Sequence, residues 1–443
     1  MSKIAIIGGG IAGLTSAYYL NKCHSIKLFE KSDRLGGNAF SIDTKEAKAV
    51  DIAVAAFGKE GYGHFFALLE ELGVETDFCA NTFMSMHDLN TKEGLYLTPT
   101  LKGGITQGFD LIKLDHLKSI YGFFKGLKVA NEMLDKGLLT GMTMGECIKK
   151  IPQFDKSATL FLICALCLLS SMSAAEVMAT PASFFLGKLK VHNDIVSPKG
   201  LFSVEAAKGG TRTYVTAMAK TFQDKIVMHS SIKTVQRSER EITLIMDDGT
   251  QQKFDAVVFA CNADQALNLL ENPTSLEREL LGVWKYKEGE VIVHRDHSSF
   301  PARELIQAYT YLYTRDPDKD GQINTSVSGA LRFEHQVPDD SDLISTQHPN
   351  FPIRKDLIEF QTVLRTPKFS FESVAVIERM PTLNGTLNSY YCGSHFGYGL
   401  HNDAVFSAMR VANLLGAQTP DRKDNRFKPS LKGLLKLASK LRG

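Results

Sequence analysis

The chain has 443 residues, 44% hydrophobic and 23% charged, the balance of a globular protein large enough for two connected domains and a sizeable core. A net charge of +2 gives no ground for a nucleic-acid partner, and the longest apolar run, 158–169, is too short to span a bilayer. Seven scattered cysteines argue for a reducing compartment rather than a disulfide framework, and no cysteine–histidine set has zinc spacing, so no metal is expected.

Lys3–Ile7 reads as a buried parallel strand that starts too early to leave room for a secretory leader, so a cytoplasmic location is expected. It runs into Gly8-Gly9-Gly10-Ile11-Ala12-Gly13 and an apolar-periodic helix, and a second strand, 25–29, ends on Glu30. Gly8 permits the tight turn, Gly10 lets a pyrophosphate approach the backbone, and Gly13 lets helix and strand pack closely. The helix N-terminus offers N–H groups to phosphates, and Glu30 can accept ribose hydroxyls. Gly36-Gly37 follows six residues past that acid and resembles the second dinucleotide element of glutathione-reductase-type FAD enzymes. Nicotinamide dehydrogenases do not need it, which makes FAD the leading cofactor.

Further along, 62–72 reads as a helix ended by Gly73, 81–104 as turn-rich, and the segment to Met178 as largely helical. Cys164-Ala165-Leu166-Cys167 lies inside the apolar run and reads as a buried pair rather than a redox motif. Gly209-Gly210 opens a helix to Thr221, short strands follow at 226–229, 232–236 and 242–246, and Phe254–Ala260 reads as one buried strand. Alternating segments between Trp284 and Leu364 predict an antiparallel sheet with polar loops at 315–321 and 338–345. A strand at 389–393 leads to Gly397-Tyr398-Gly399-Leu400-His401 and a helix over 404–415 whose N-terminus is a second dipole end.

The expected fold is α/β: a discontinuous FAD-binding, Rossmann-type domain (1–75, 195–270, 375–420) with an inserted α+β substrate domain (76–194, 271–374) containing the antiparallel sheet. From 421 to 443, eight Lys or Arg face two Asp, and Leu431, Leu434, Leu435 and Ala438 follow helical spacing. That is a basic amphipathic tail, suited to peripheral contact with an anionic membrane through 424–443.

Taken together, 4–13, 30–38, 65–74, 209–215, 254–267 and 390–403 resemble the flavin-containing amine oxidoreductase superfamily. The similarity is to a bacterial branch of NAD/FAD-binding proteins associated with cyclopropane and unsaturated fatty-acid modification. The resemblance implies FAD contacts from Gly8, Gly10, Ile11, Ala12 and Gly13 at the pyrophosphate and Glu30 at the ribose. It further implies Arg34, Gly36, Gly37 and Asn38 along the phosphate and ribityl stretch, Ile232 near the adenine, and Gly393, Leu400 and His401 toward the flavin. Three positions depart from the branch: Ala53 stands for a usual glycine, Phe57-Gly58 for Tyr-Asn, and Asn402 for Glu.

The implied activity is that of an FAD-dependent oxidoreductase, isomerase or desaturase that moves a hydride between flavin and a hydrophobic, fatty-acyl substrate. The apolar side chains Phe161, Leu162, Ile163, Leu166, Leu168, Leu169, Phe184 and Phe185 suit a tunnel, although ordinary core explains any one of them. His395 and Tyr398 are the candidate catalytic side chains, as a proton exchanger near neutral pH and a hydrogen-bond donor. His401 shares their segment, and Tyr390 and Tyr391 are candidate pocket walls. An amine oxidase, and a non-catalytic FAD-binding partner of a lipid-modifying enzyme, are the alternatives.

Overall fold

The computed structural model describes residues 1–53, 55–58, 61–78, 84–96, 105, 114–193, 204–316, 322–333 and 337–422, so the tail beyond Arg422 lies outside the described residues. In chain order the elements that frame the site are β1 (Lys3–Ile7), α1 (Ile11–Leu20), β2 (Ser25–Phe29), α2 (Gly63–Leu72), β3 (Met84–Asp88) and β4 (Gly94–Tyr96). Then come α3 (Leu114–Asp135), α4 (Lys156–Ser170), α5 (Ala182–Asn193), α6 (Thr211–Lys220), β5 (Ile226–Val227) and β6 (Ala256–Phe259). The last are β7 (Lys285–His294), β8 (Tyr309–Asp316), β9 (Gln322–Ala330), β10 (Ile344–Gln347), β11 (Ile358–Lys368), β12 (Ser389–Tyr391) and α7 (His401–Leu414).

A five-stranded sheet in the order β5-β2-β1-β6-β12 carries the dinucleotide fingerprint, and every neighbouring pair in it is parallel. Ile4 and Ile6 are wholly buried under α1 and α7, and Ala5 is buried on the opposite face in a core with Val235, Ile242 and Leu244 of the 232–254 sheet, which is why β1 has no polar alternation. The apolar face of α1 packs with α7 over one side of this sheet.

The second sheet has seven strands in the order β11-β7-β10-β9-β8-β3-β4, antiparallel except for the β8–β3 pair. Tyr311 and Val327, opposite each other on β8 and β9, share a core with Phe161, Leu162 and Leu166 of α4. Farther along the sheet, Val291 and Val293 of β7 pack against Ile42, Val50 and Ile52. Leu312, Ala330 and Ile344 point the other way, into a small core with Phe300 and Ile306. The α4 helix starts where Asp155 accepts the N–H groups of Ser157 and Ala158, and being apolar all round it is buried. Cys164 and Cys167 are buried free thiols, and burial pushes Cys167 up to about 12, which suits core packing and not thiol chemistry.

The structure departs from the sequence expectations at five places, one being Arg315 and Asp316, which were read as loop and instead end β8. The stretch read as turn-rich holds β3 and β4, which extend the substrate-side sheet. Phe254–Ala260 is two elements: 251–254 closes an antiparallel three-stranded sheet, and 256–259 is the parallel β6. Asp255 separates them, its carboxylate accepting the Lys3 N–H at 2.6 Å. Ser345, read as loop, lies in β10, and α7 begins at His401 rather than 404 because Asp403 accepts the Leu400 N–H at 2.8 Å and caps the turn.

Candidate active site

The first glycine segment is shaped by close backbone approaches. Gly8 has φ +108°, and a Cβ there would stand 2.8 Å from the Ala260 carbonyl oxygen; at Gly13 it would stand 1.8 Å from the Gly8 carbonyl oxygen. Gly10 differs, since its Cβ would meet nothing nearer than Gly37 Cα at 3.9 Å. The space beside Gly10 belongs to a cleft, and no side chain caps the α1 N-terminus that opens onto it. The Gly36 N–H donates to the Gly9 carbonyl at 2.8 Å, bringing the second glycine pair alongside the first.

The cleft has a volume of about 620 Å³ and is lined by Gly8, Gly10, Ile11, Ala12, Glu30, Gly36, Gly37, Asn38, Ile232, Gly393, His395, Leu400 and His401. Glu30 is held by the Gly9 N–H at 2.6 Å on Oε2 and by the Ser32 N–H and hydroxyl, both at 2.8 Å, on Oε1. A carboxylate oxygen has two lone pairs, so Oε2 keeps one for a further donor from the cleft. Three expected residues stand elsewhere. Gly13 serves helix packing. Arg34 donates to the Gly37 carbonyl at 2.7 Å and lies 3.5 Å over the Phe40 ring, bracing the second glycine pair from outside the cleft. Tyr398 turns toward α5, its ring 5.2 Å from that of Phe184.

The sequence reading missed Asn262, Gln265 and Arg365 of the cleft wall. Arg365, from β11, pairs with Asp264 at 2.8 Å while its carbonyl accepts Asn38 Nδ2 at 3.1 Å. No local motif marks it, because it reaches the cleft from a sheet more than 300 residues along the chain from the glycines.

At the far end, Ser407 Oγ accepts the Gly393 N–H at 2.9 Å, and the His395 ring packs edge-on to Trp284 at 5.5 Å. His401 Nε2 lies 3.1 Å from the Tyr214 hydroxyl, between Phe57 and Phe65. Gly399, Leu400 and His401 also line a second cavity of about 270 Å³, shared with Tyr62, Phe123, Leu168, Leu169 and Val327. Phe161, Leu162, Ile163, Leu166, Phe184 and Phe185 are core, and only Leu168 and Leu169 of the expected tunnel set line this cavity. Of the three departures, Ala53 lines it, Phe57 packs on His401, and Asn402 Oδ1 accepts the Phe65 N–H at 2.9 Å while its buried Nδ2 has no partner. Tyr391 is drawn instead to Arg237 and Glu277, and neither it nor Tyr390 is a wall of these two cavities.

Burial alone lowers both His395 and His401 to about 3. Both rings are therefore held in the neutral form at physiological pH. In the unfolded chain each titrates at about 6.5, so their contribution to stability is complete above that value and is lost as pH falls from it toward 3. Unfolding free energy measured in urea should fall by about 2 kcal/mol per ring between pH 7 and pH 5, and His395→Phe should remove one ring's share. Identical urea midpoints at pH 7 and pH 5 would contradict this.

The fold and the cleft define a dinucleotide-binding α/β protein with a substrate-side sheet joined at the far end of the cleft. Residues 6–72 match the family described as the NAD(P)-binding Rossmann-like domain. The chain is 36% identical to flavin-containing amine oxidase B of Mus musculus over 76 residues, which are 17% of this chain and 14% of that protein. It is 24% identical to coproporphyrinogen III oxidase of Staphylococcus aureus over 296 residues, 58% of this chain and 59% of that one, so it matches less than two thirds of either relative. The structure of a CLA-producing fatty acid isomerase from P. acnes superposes with a TM-score of 0.66 at 14% identity, covering 94% of this chain and 99% of that one. The fold is that of the isomerase structure, and the fingerprint is shared with the Rossmann-like family and with the matched stretch of the amine oxidase. Among the described residues no cluster could hold a metal ion, and no helix is long and apolar enough to cross a membrane.

Proposed function

We propose that the protein is an FAD-dependent oxidoreductase, or flavin-dependent isomerase or desaturase, acting on a hydrophobic, fatty-acyl substrate. The observation that carries this reading is the meeting of the two cavities: Gly399, Leu400 and His401 wall both the dinucleotide cleft and the apolar cavity. The cleft fits FAD by the space at Gly10, the open α1 N-terminus and the acid at Glu30. Bound there, FAD would supply a two-electron acceptor for a hydride.

The chain's own residues position and exclude. Gly8, Gly10, Ile11 and Ala12 would hold the phosphates, Glu30 a ribose, and Gly393 with the 399–401 backbone the far end. The neutral His395 ring, packed on Trp284, would line the cleft and limit water there. Phe123, Leu168 and Leu169 exclude water on the substrate side. The amine-oxidase alternative wants an aromatic cage from the candidate tyrosines, and Tyr390, Tyr391 and Tyr398 are not among the residues lining either cavity.

Purified protein loaded with FAD should lose its visible flavin absorbance under anaerobic conditions when mixed with unsaturated or methyl-branched acyl lipids. Alkylamines should leave the spectrum unchanged. Bleaching by amines with release of ammonia on reoxidation would replace this reading with the amine oxidase.

A further inference from the structure

The apolar cavity is not uniformly apolar. Ser345 and Gln347 of β10 line it together, two residues apart on one strand and hence on one face. The register confirms that face: Gln347 lies opposite Val327 and Val291, and Ser345 opposite Gly329 and Val293. The intervening Thr346 points the other way, where it bonds His294 Nε2 at 2.8 Å and Ser328 Oγ at 2.9 Å. Ser345 is only 9% exposed and Gln347 half-buried, yet among the described residues neither side chain has a hydrogen-bond partner. Buried hydroxyl and amide groups are costly to leave unpaired, so an arrangement of two such groups facing one cavity points to a ligand that pairs them.

The charge of the lining says which ligand. Among the described lining residues there is no Lys or Arg, and the single acid is Asp51. Its Oδ1 accepts the Ser41 hydroxyl at 2.6 Å and the Thr211 hydroxyl at 2.7 Å, and the Thr211 N–H reaches both carboxylate oxygens at 3.0 Å. A carboxylate headgroup would find no counter-charge, and an ammonium would have to share Asp51 with the Ser41 and Thr211 donors that already hold it, so burying either is unfavourable. A neutral group carrying both lone pairs and a short apolar chain meets no such cost.

We infer that this cavity takes an acyl chain bearing an uncharged hydrogen-bonding group, of the ester or amide class, recognised by Ser345 Oγ and the Gln347 amide, rather than a free fatty acid or an amine. The inference rests on the acyl-substrate reading above and names the chemical form of that substrate. Ser345 and Gln347 are its specificity-determining residues.

The test is displacement of the neutral dye Nile red from the full-length, FAD-loaded protein at pH 8 by four probes in neutral detergent: methyl oleate, oleate, oleylamine and 1-octadecene. Methyl oleate should compete best. Ser345→Ala and Gln347→Met, both close to the native volume, should each weaken it by about three- to tenfold, the usual worth of one hydrogen bond, and leave 1-octadecene unchanged. Oleate or oleylamine competing as well as the ester would overturn the inference, as would an ester affinity unaffected by both substitutions. The expected order of displacement without any flavin bleaching would uphold this site and remove the oxidoreductase reading, so the two failures are told apart.

Discussion

Gly13→Ala is expected to yield protein that does not fold, while Gly10→Ala yields folded protein that has lost its flavin. Helix propensity alone argues the reverse for Gly13, since alanine within a helix is worth about 1 kcal/mol over glycine. The contact decides the sign. A Cβ at residue 13 would stand 1.8 Å from the Gly8 carbonyl oxygen, and both partners are backbone, so no rotamer relieves the overlap. α1 would have to lift from β1, taking Ile11, Leu14, Ala17 and Leu20 out of their shared core with Val405 and Ala408 of α7. The loss should exceed about 4 kcal/mol, within reach of the whole stability of many domains. At Gly10 the nearest atom to an added Cβ is 3.9 Å away, so the fold tolerates it, but the methyl occupies the phosphate approach. Flavin affinity should drop at least tenfold, about 1.4 kcal/mol, with an unchanged urea midpoint for the apoprotein. Circular dichroism and flavin retention read both outcomes. A folded, yellow Gly13→Ala protein would contradict the packing argument.

The second large effect lies away from the cleft. Arg237 and Glu277 form an ion pair with both side chains 2% exposed. The Arg237 guanidinium donates to Glu277 twice, at 2.5 and 2.9 Å, and to Ser389, Tyr391 and the Asn272 carbonyl, and the Tyr391 hydroxyl in turn donates to Glu277. Burial alone would raise Glu277; the bonds from Arg237, Tyr391 and the Thr274 N–H outweigh it and hold the carboxyl at about 2. The cluster ties the 232–254 sheet and the 275–282 helix to β12, the edge of the dinucleotide sheet. Arg237→Met leaves a buried carboxylate uncompensated and should cost about 3–5 kcal/mol at pH 7. The double variant Arg237→Met, Glu277→Leu removes both charges and should recover a large part of that loss. Urea unfolding of the three proteins measures it, and a double variant no better than the single one would show that the charge is not the cause. The depressed carboxyl also sets a pH window: its stabilisation is present above about pH 4.3, the unfolded value, and is lost as pH falls from there toward 2.

Much of the dinucleotide half was legible because its determinants are local. Gly8, Gly10 and Gly13 stand at fixed offsets from an apolar strand and from Glu30, and each constraint acts within one strand–turn–helix unit. The substrate half was legible only in outline. Alternation announced β7 and β8, but β10 is four residues, Ile344–Gln347, with a polar residue at three of four positions, and its first half, to Ser345, read as loop. It is a strand because partners on both sides, β7 and β9, satisfy its backbone. β3 and β4 were hidden likewise: they pair with each other, and the hairpin joins the sheet only through the distant β8.

The amino-acid order by itself therefore determined a dinucleotide turn, the acid at Glu30 that closes the second strand and the second glycine pair, since backbone sterics and hydrogen bonding over a few residues leave few other uses for that pattern. Tertiary structure alone decided that Tyr398 and Tyr391 turn away from the cleft, that His395 and His401 are neutral, that Arg365 joins the wall, and that Ser345 and Gln347 face the apolar cavity. Those properties depend on burial and on strands distant in the chain, and neither solvent exposure nor long-range pairing is written in any short stretch of residues.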